Sequence, residues 1–260
     1  MIRIDYNKCI GCLNCTDKCV CAAIAVEEGR PVYKEEMGCI KCMHCAAACP
    51  ENAITFDGKS AIFSEEMPLA GEHIADDLET LVLTRRSYRN FKAEMVPPEE
   101  IRRILDLTAW VPSSSNSHPV EYCMVNGKEA IDRMMDIIEA YIKETGLYAN
   151  LLPRLERGMN PVVTNAPNLI LAYTSDNAWN PQTDVAIALT TAELMLQSKG
   201  IGTCWAGYLR TFLNKLPELK AMTGVPDGYT FHGCLLVGYP TEEYHYIPER
   251  VKRPTIKEIR

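Results

Sequence analysis

The sequence predicts an α+β protein in two parts, on three observations. Nine of the twelve cysteines lie in the first 49 of 260 residues. An acidic stretch without Lys or Arg follows, from residue 60 to residue 84. Beyond it, helical apolar spacing alternates with short continuous apolar runs of strand length. Hydrophobic residues at 47% and charged residues at 23% are ordinary for a globular chain and exclude disorder, collagen and coiled coil. A formal net charge of -7 argues against a nucleic-acid partner, because neutralising phosphates takes surplus Lys and Arg. No apolar run is long enough to span a membrane. Met1 to Lys8 lack the apolar core of a signal peptide, which points to the cytoplasm.

The first part is a duplication. Cys9, Cys12, Cys15 and Cys19 recur thirty positions later as Cys39, Cys42, Cys45 and Cys49, and Ala23-Ile24 is answered by Ala53-Ile54. Ala22–Val26 and Val32–Lys34, separated by Glu-Glu-Gly-Arg-Pro, suit a hairpin between the halves. In a reducing compartment such a density of thiols reads as metal ligation rather than disulfides. Soft thiolates suit iron, and the C-x2-C-x2-C spacing wraps three corners of a cubane, with the fourth cysteine reaching across to the other cluster. This predicts two 4Fe-4S clusters, one on Cys9, Cys12, Cys15 and Cys49, the other on Cys39, Cys42, Cys45 and Cys19. Zinc is the alternative, but its structural sites favour two C-x2-C pairs over uninterrupted triplets. Cys49 is followed by Pro50, whereas Cys19 is followed by Val20 and Cys21, so Cys21 competes with Cys19 as the eighth ligand. His44, between Cys42 and Cys45, is expected to tune the cluster's hydration rather than ligate it. A domain over 1–60 is expected, then an acidic linker over 61–75 that carries Pro68 and Gly71.

The second part, 76–260, opens with a helix over about Asp76–Thr84. Pro97-Pro98-Glu99-Glu100 starts another, with Ile101, Ile104, Leu105 and Thr108 on its buried face. Val120–Val125 is a strand, 128–145 a surface helix on Ile131, Met134, Met135 and Ile138, and 146–166 a Pro-broken, lid-like segment. Asn168–Tyr173 and Tyr229–Tyr239 read as buried strands. Asp184–Lys199 is apolar on nearly every side, so a central buried helix stopped by Gly200 is expected.

Four segments of this part carry chemistry. Arg85-Arg86-Ser87-Tyr88-Arg89 gathers three guanidinium groups and a hydroxyl, a set able to bind phosphate, or else a basic surface patch. Pro112-Ser113-Ser114-Ser115-Asn116-Ser117-His118-Pro119 is a polar turn. Gly200-Ile201-Gly202-Thr203-Cys204-Trp205-Ala206-Gly207 permits close backbone approach by a flat ligand, or caps a helix before a strand. It follows a helix rather than a strand, so it is no dinucleotide fingerprint. Arg250, Lys252 and Arg253 add positive charge near the end of the sequence. Cys123, Cys204 and Cys234 sit in apolar surroundings and read as buried structural thiols.

In order and spacing, these segments resemble the FMN-dependent nitroreductase family over residues 76–260, and residues 1–60 resemble bacterial two-cluster ferredoxins. The resemblance implies a small ferredoxin-like two-cluster domain followed by a nitroreductase-like three-layer α+β domain, a homodimer, and one FMN per subunit. It implies that Arg85 and Ser87, with Arg250 and Lys252, hold the FMN phosphate, with Arg86 in the same turn. Arg89 would lie at the pyrimidine edge of the ring. Pro112, Ser113, Ser114 and Asn116 would reach the flavin from the partner subunit, and the amides of Ala206 and Gly207 would face the ring's N5. The sequence departs from the family pattern at His118, where Gln is common, and at Arg89, where Lys is common. The implied activity is electron transfer from the clusters to FMN and on to a small electron-poor acceptor such as a nitroaromatic or quinone. Dehalogenation, enone reduction and a substrate-free electron carrier are the alternatives. Reduced ferredoxin or another low-potential donor would feed the clusters, making a nicotinamide donor unnecessary.

Overall fold

The thirty-residue period of the sequence is a period of backbone conformation as well. In the computed structural model, which describes residues 1–61, 71 and 73–260, left-handed φ values fall at Gly11 (71°) and Lys41 (59°), Leu13 (63°) and Met43 (62°), Ala22 (51°) and Asn52 (46°). Leu13 and Met43 cap two one-turn helices, α1 (Asn14–Asp17) and α2 (His44–Ala47). A left-handed residue other than glycine costs roughly 1–2 kcal/mol. The same costly turn before each helix curls both cysteine triplets alike. Strands β1 (Ile2–Ile4) and β4 (Ile54–Phe56) pair antiparallel, as do β2 (Ile24–Glu27) and β3 (Arg30–Tyr33), the expected hairpin. The core of this unit is Ile2, Ile24, Ala46 and Ile54 together with Cys15 and Cys45. The unit comprises Met1–Ile74 and also Ser114–Ser117, where Asn116 Nδ2 donates to Ile40 O at 3.1 Å.

The second unit, Ala75–Ser113 with His118–Arg260, is built on an antiparallel sheet in the order β5-β6-β8-β7. Its strands are β5 (Glu121–Asn126), β6 (Asn168–Ser175), β7 (Gly202–Trp205) and β8 (Tyr229–Gly238). Around them run α3 (Ile74–Thr84), α4 (Pro98–Leu107), α5 (Lys128–Thr145), α6 (Leu152–Leu155), α7 (Pro181–Ser198), α8 (Gly207–Lys215) and α9 (Pro217–Met222). Side chains alternate across a strand. Accordingly Leu169, Leu171, Cys234 and Leu236 pack with Ile138, Leu209, Phe212 and Leu219 of α5, α8 and α9. Ile170, Ala172, Leu235 and Val237 pack with Ile101, Ile104, Val185 and Leu189 of α4 and α7. The result is three layers, helix over sheet over helix. Two glycines make the close packing possible. A Cβ on Gly233 would collide with Leu189 Cδ1, and one on Gly238 would lie 2.7 Å from Pro167 Cδ.

Several expectations need adjustment. The expected central helix begins three residues earlier, at Pro181, and is buried on one face only. Asp184, Val185, Ala188, Leu189, Ala192, Glu193 and Leu196 are buried, whereas Ala186 and Thr190 are exposed. The lid-like segment contributes Leu151, Val162 and Val163 to the core, so part of it is structural. Strand β7 answers to the alternative reading of residues 200–207, a helix cap before a strand, whereas α8 and α9 are not anticipated, because two short helices leave little periodicity. Helix α3 has no buried residue and exposes Ile74, Leu78 and Val82. Of the expected linker at 61–75, residues 62–70 and 72 lie outside the described residues. Among the described residues no helix is long and apolar enough to cross a membrane.

Candidate functional site

In the first unit the thiols line two hollows. Cys9, Cys12, Cys15 and Cys49 share one, with Ile4, Leu13 and Pro50. Cys19, Cys39, Cys42 and Cys45 share the other, with Cys21 also on its wall. Each triplet therefore meets the fourth cysteine of the opposite half. Ala23 N donates to Cys19 Sγ at 3.1 Å and Ala53 N to Cys49 Sγ at 3.2 Å, so Cys19 and Cys49 occupy equivalent places in the repeat. Cys21 has no such counterpart. Lys41 N also donates to Cys39 Sγ, at 3.4 Å. Burial pushes the Cys45 thiol up to about 11 and raises that of Cys15, so both stay protonated until a bound metal displaces the proton. Among the described residues, no three Cys, His, Asp or Glu side chains converge as they would on a single ion. Four thiols gathered on each otherwise largely apolar hollow fit a multi-iron cluster.

In the second unit a cleft of about 860 Å³ opens beside the edge of the sheet, within the range of small-molecule sites. Strand β7 and the start of α8 supply Cys204, Trp205, Ala206, Gly207, Arg210 and Thr211; Arg89, Asn90, Arg154, residues 158–162, Thr164 and Asn165 line it as well. The Arg85–Phe91 run reaches this place because it lies alongside β7. Ser87 bridges Thr203, and Tyr88 N donates to Thr203 O at 2.9 Å. Two features are compatible with a ligand here. A Cβ on Gly207 would meet nothing within 4 Å, and Thr164 Oγ1 on the cleft wall is buried with no hydrogen-bond partner.

The expected site residues are distributed unevenly. Arg89, Ala206 and Gly207 line the cleft. The Ala206 amide, however, donates to Cys234 O at 2.9 Å, so it is committed to the sheet edge; Gly207, first residue of α8, retains one of the amides that no intrahelical carbonyl reaches. Arg85 is half-buried, with Nη1 3.5 Å from Glu193 Oε1. Ser87 gives its carbonyl to Arg89 Nη1 at 3.1 Å. Arg86 is buried and serves the backbone, donating to the carbonyls of Leu83 (2.9 Å), Arg85 (2.8 Å) and Tyr246 (3.2 Å), so it is a structural residue here. Pro112 and Ser113 line a different cavity with His118, whose amide donates to Ser113 Oγ at 2.9 Å. Ser114 and Asn116 belong to the cysteine unit. Arg250 and Lys252 are exposed beyond the last strand.

A buried network that sequence reasoning missed braces the cleft. Glu193 of α7 accepts from Trp205 Nε1 at 3.1 Å and Thr203 Oγ1 at 3.2 Å. One turn on, Gln197 donates to Arg86 O at 2.8 Å and Thr203 Oγ1 at 2.7 Å and accepts from Arg86 N at 3.1 Å. The i, i+4 spacing of an acid and an amide in an otherwise apolar helix was the available clue. Burial raises the Cys204 thiol, against a smaller pull downward from the Arg89 charge. Cys204 and Cys234 are thus neutral, packed thiols.

The comparisons agree with this geometry. A model of the nitroreductase family matches residues 82–239, and a model of the 4Fe-4S dicluster domain matches residues 1–50. An Archaeoglobus fulgidus protein named "Putative NADH dehydrogenase/NAD(P)H nitroreductase" is 24% identical over 181 residues, covering 66% of this chain and 95% of its own. The iodotyrosine deiodinase of Thermotoga neapolitana is 24% identical over 173 residues, covering 64% of this chain and 89% of its own. The crystal structure of a Bacteroides fragilis nitroreductase with bound FMN superposes with a TM-score of 0.62 at 24% identity, covering 71% of this chain and 99% of that one.

Proposed function

From the premise that this chain belongs to the nitroreductase family and carries a 4Fe-4S dicluster domain, we propose that it reduces a small electron-poor organic acceptor on FMN, with electrons supplied through two 4Fe-4S clusters. The observation that carries the reading is the cleft lined by both Arg89 and Trp205–Gly207, with open space over Gly207 and an orphaned hydroxyl at Thr164. When bound there, FMN supplies the junction between one-electron and two-electron chemistry. Cys9, Cys12, Cys15 and Cys49 would hold one cluster, and Cys19, Cys39, Cys42 and Cys45 the other.

The chain's own groups do the rest. Arg89 brings a fixed positive charge to the end of the cleft where the reduced cofactor's negative charge is to be stabilised. The Gly207 amide offers a hydrogen bond from a helix start, where the dipole favours electron-rich atoms. Glu193 fixes the Trp205 indole at the edge of the cleft, and its ion pair with Arg85 holds that guanidinium ready for phosphate. Ser87, Arg250 and Lys252 complete the phosphate set. Pro112, Ser113, Ser114 and Asn116 would reach the flavin of a second copy, and the exposed apolar residues of α3 with the outer face of α7 would give that copy a surface to bury. Residues 1–60, 61–75 and 76–260 are then cluster domain, linker and flavin domain.

Anaerobic purification with quantification tests this directly. About eight iron, about eight sulfide and one FMN per chain are expected, followed by turnover of nitroaromatics or quinones by dithionite-reduced protein. Absence of flavin, or flavin without acceptor turnover, overturns it. A cluster-free variant whose FMN is reduced by NADH or NADPH at catalytic rates would show that the clusters are not the required entry point.

A further inference from the structure

The charged groups on the wall of the flavin-domain cleft are of one sign. They are Arg89, Arg154 and Arg210, and neither Asp, Glu nor Lys is among the lining residues. This is opposite to the chain as a whole, whose net charge is -7. Arg89 is already turned to Ser87 O. Arg210 shares one face of α8 with Gly207 and Thr211, at positions i+3 and i+4, so it stands on the wall that carries the Gly207 amide. Arg154 lies in α6, a separate element that lines the same cleft. Both are exposed, and among the described residues neither forms an ion pair with a carboxylate. Two guanidinium groups brought to one cleft from separate elements, with no carboxylate partner among the described residues, match an oxyanion bidentately.

We propose that the acceptor carries a carboxylate or phosphate group and that Arg154 and Arg210 hold it, which orients its electron-poor portion toward the Gly207 wall. The proposal deepens the functional reading above and rests on it. Arg154 and Arg210 are specificity-determining residues, and Thr164 Oγ1 is a neutral donor on the same cleft wall.

The test uses the purified holoprotein with matched acceptors: 4-nitrobenzoate, 4-nitrophenyl phosphate and the neutral 4-nitrotoluene. The wild type is expected to prefer at least one anion over the neutral compound by about tenfold in kcat/KM. Which anion is preferred separates a carboxylate from a phosphate ligand. Arg154→Gln and Arg210→Gln should each reduce this preference about tenfold, the worth of a charge-assisted bidentate contact. Arg154→Lys should retain part of it. Raising the salt concentration should erode the preference in the wild type and much less in the double variant. Calorimetric titration of the non-reducible benzoate and phenyl phosphate gives the same ordering without turnover. Equal use of all three acceptors by an FMN-replete wild type overturns the proposal while leaving the function intact. Loss of FMN from Arg154→Gln or Arg210→Gln also overturns it, since these residues would then hold the cofactor's phosphate. A wild type that never binds FMN sinks the functional reading instead.

Discussion

The two units reach order by different means. The nitroreductase-family unit buries Phe212, Phe231, Ile138, Leu169 and many others in two layers, one on each side of a four-stranded sheet. Among the described residues, the cysteine unit has strands of three or four residues, helices of one turn, and a core cluster of Ile2, Cys15, Ile24, Cys45, Ala46 and Ile54, two of them thiols. A core that small does not offset chain entropy at ordinary hydrophobic magnitudes. The contrast predicts that one part of this chain folds by excluding water and that the other depends on a bound metal.

Removing iron is the strongest way to break that contrast. Anaerobic chelation should abolish amide protection throughout residues 1–59 while leaving that of β6 and β8 within experimental error; protection that survives in the cysteine unit would show that its apolar core suffices. Next in size are the ligands. Cys19→Ser should lose about half the iron, whereas Cys21→Ser should keep it all. The reverse result would exchange their roles at the second hollow. The flavin domain should answer to packing instead. Phe212→Ala, at the centre of its larger core, is expected to cost about 3–5 kcal/mol in unfolding free energy with iron content unchanged. The smallest effect is on pH dependence. Burial raises the Cys234 thiol above its ordinary 9.0, so it stabilises the fold while neutral, fully below that value, and the contribution declines as the pH climbs further. Cys234→Ala should flatten the loss of flavin-domain stability above pH 9, measured by denaturant titration; an unaltered slope would assign that loss to other groups.

Legibility differed between the parts for physical reasons. Cluster ligation ties sulfur positions to sequence spacing, so the crossed grouping of Cys49 with the first triplet and Cys19 with the second was readable before any fold was known. Helix α5 was placed at 128–145 because its charges and its Ile131, Met134, Met135 and Ile138 alternate cleanly. Helices α8 and α9 are too short for such a pattern, and the glycines around β7 left its strand as one of two readings. Within the cleft, Arg89 and Gly207 were readable from segments, but the fate of the Ala206 amide depends on β8 lying alongside. Arg154 and Arg210 carry no local mark, since a guanidinium on a solvent-facing helix looks the same whether it faces a ligand or bulk water. Arg86, one of three clustered guanidiniums, proved to be the backbone brace of the group.

The crossed arrangement of thiols bears on how the amino-terminal module assembles. With each hollow drawing three sulfurs from one half and one from the other, neither half is a self-sufficient building block. Metal at the first hollow would staple Cys9 to Cys49, fastening the outer ends of the duplicated stretch, while metal at the second would staple Cys19 to Cys39 across the hairpin. Such interlocked staples help one another without being obligatory partners: the first inorganic core to arrive shortens the loop the second must close, and losing either one loosens the grip on its sibling.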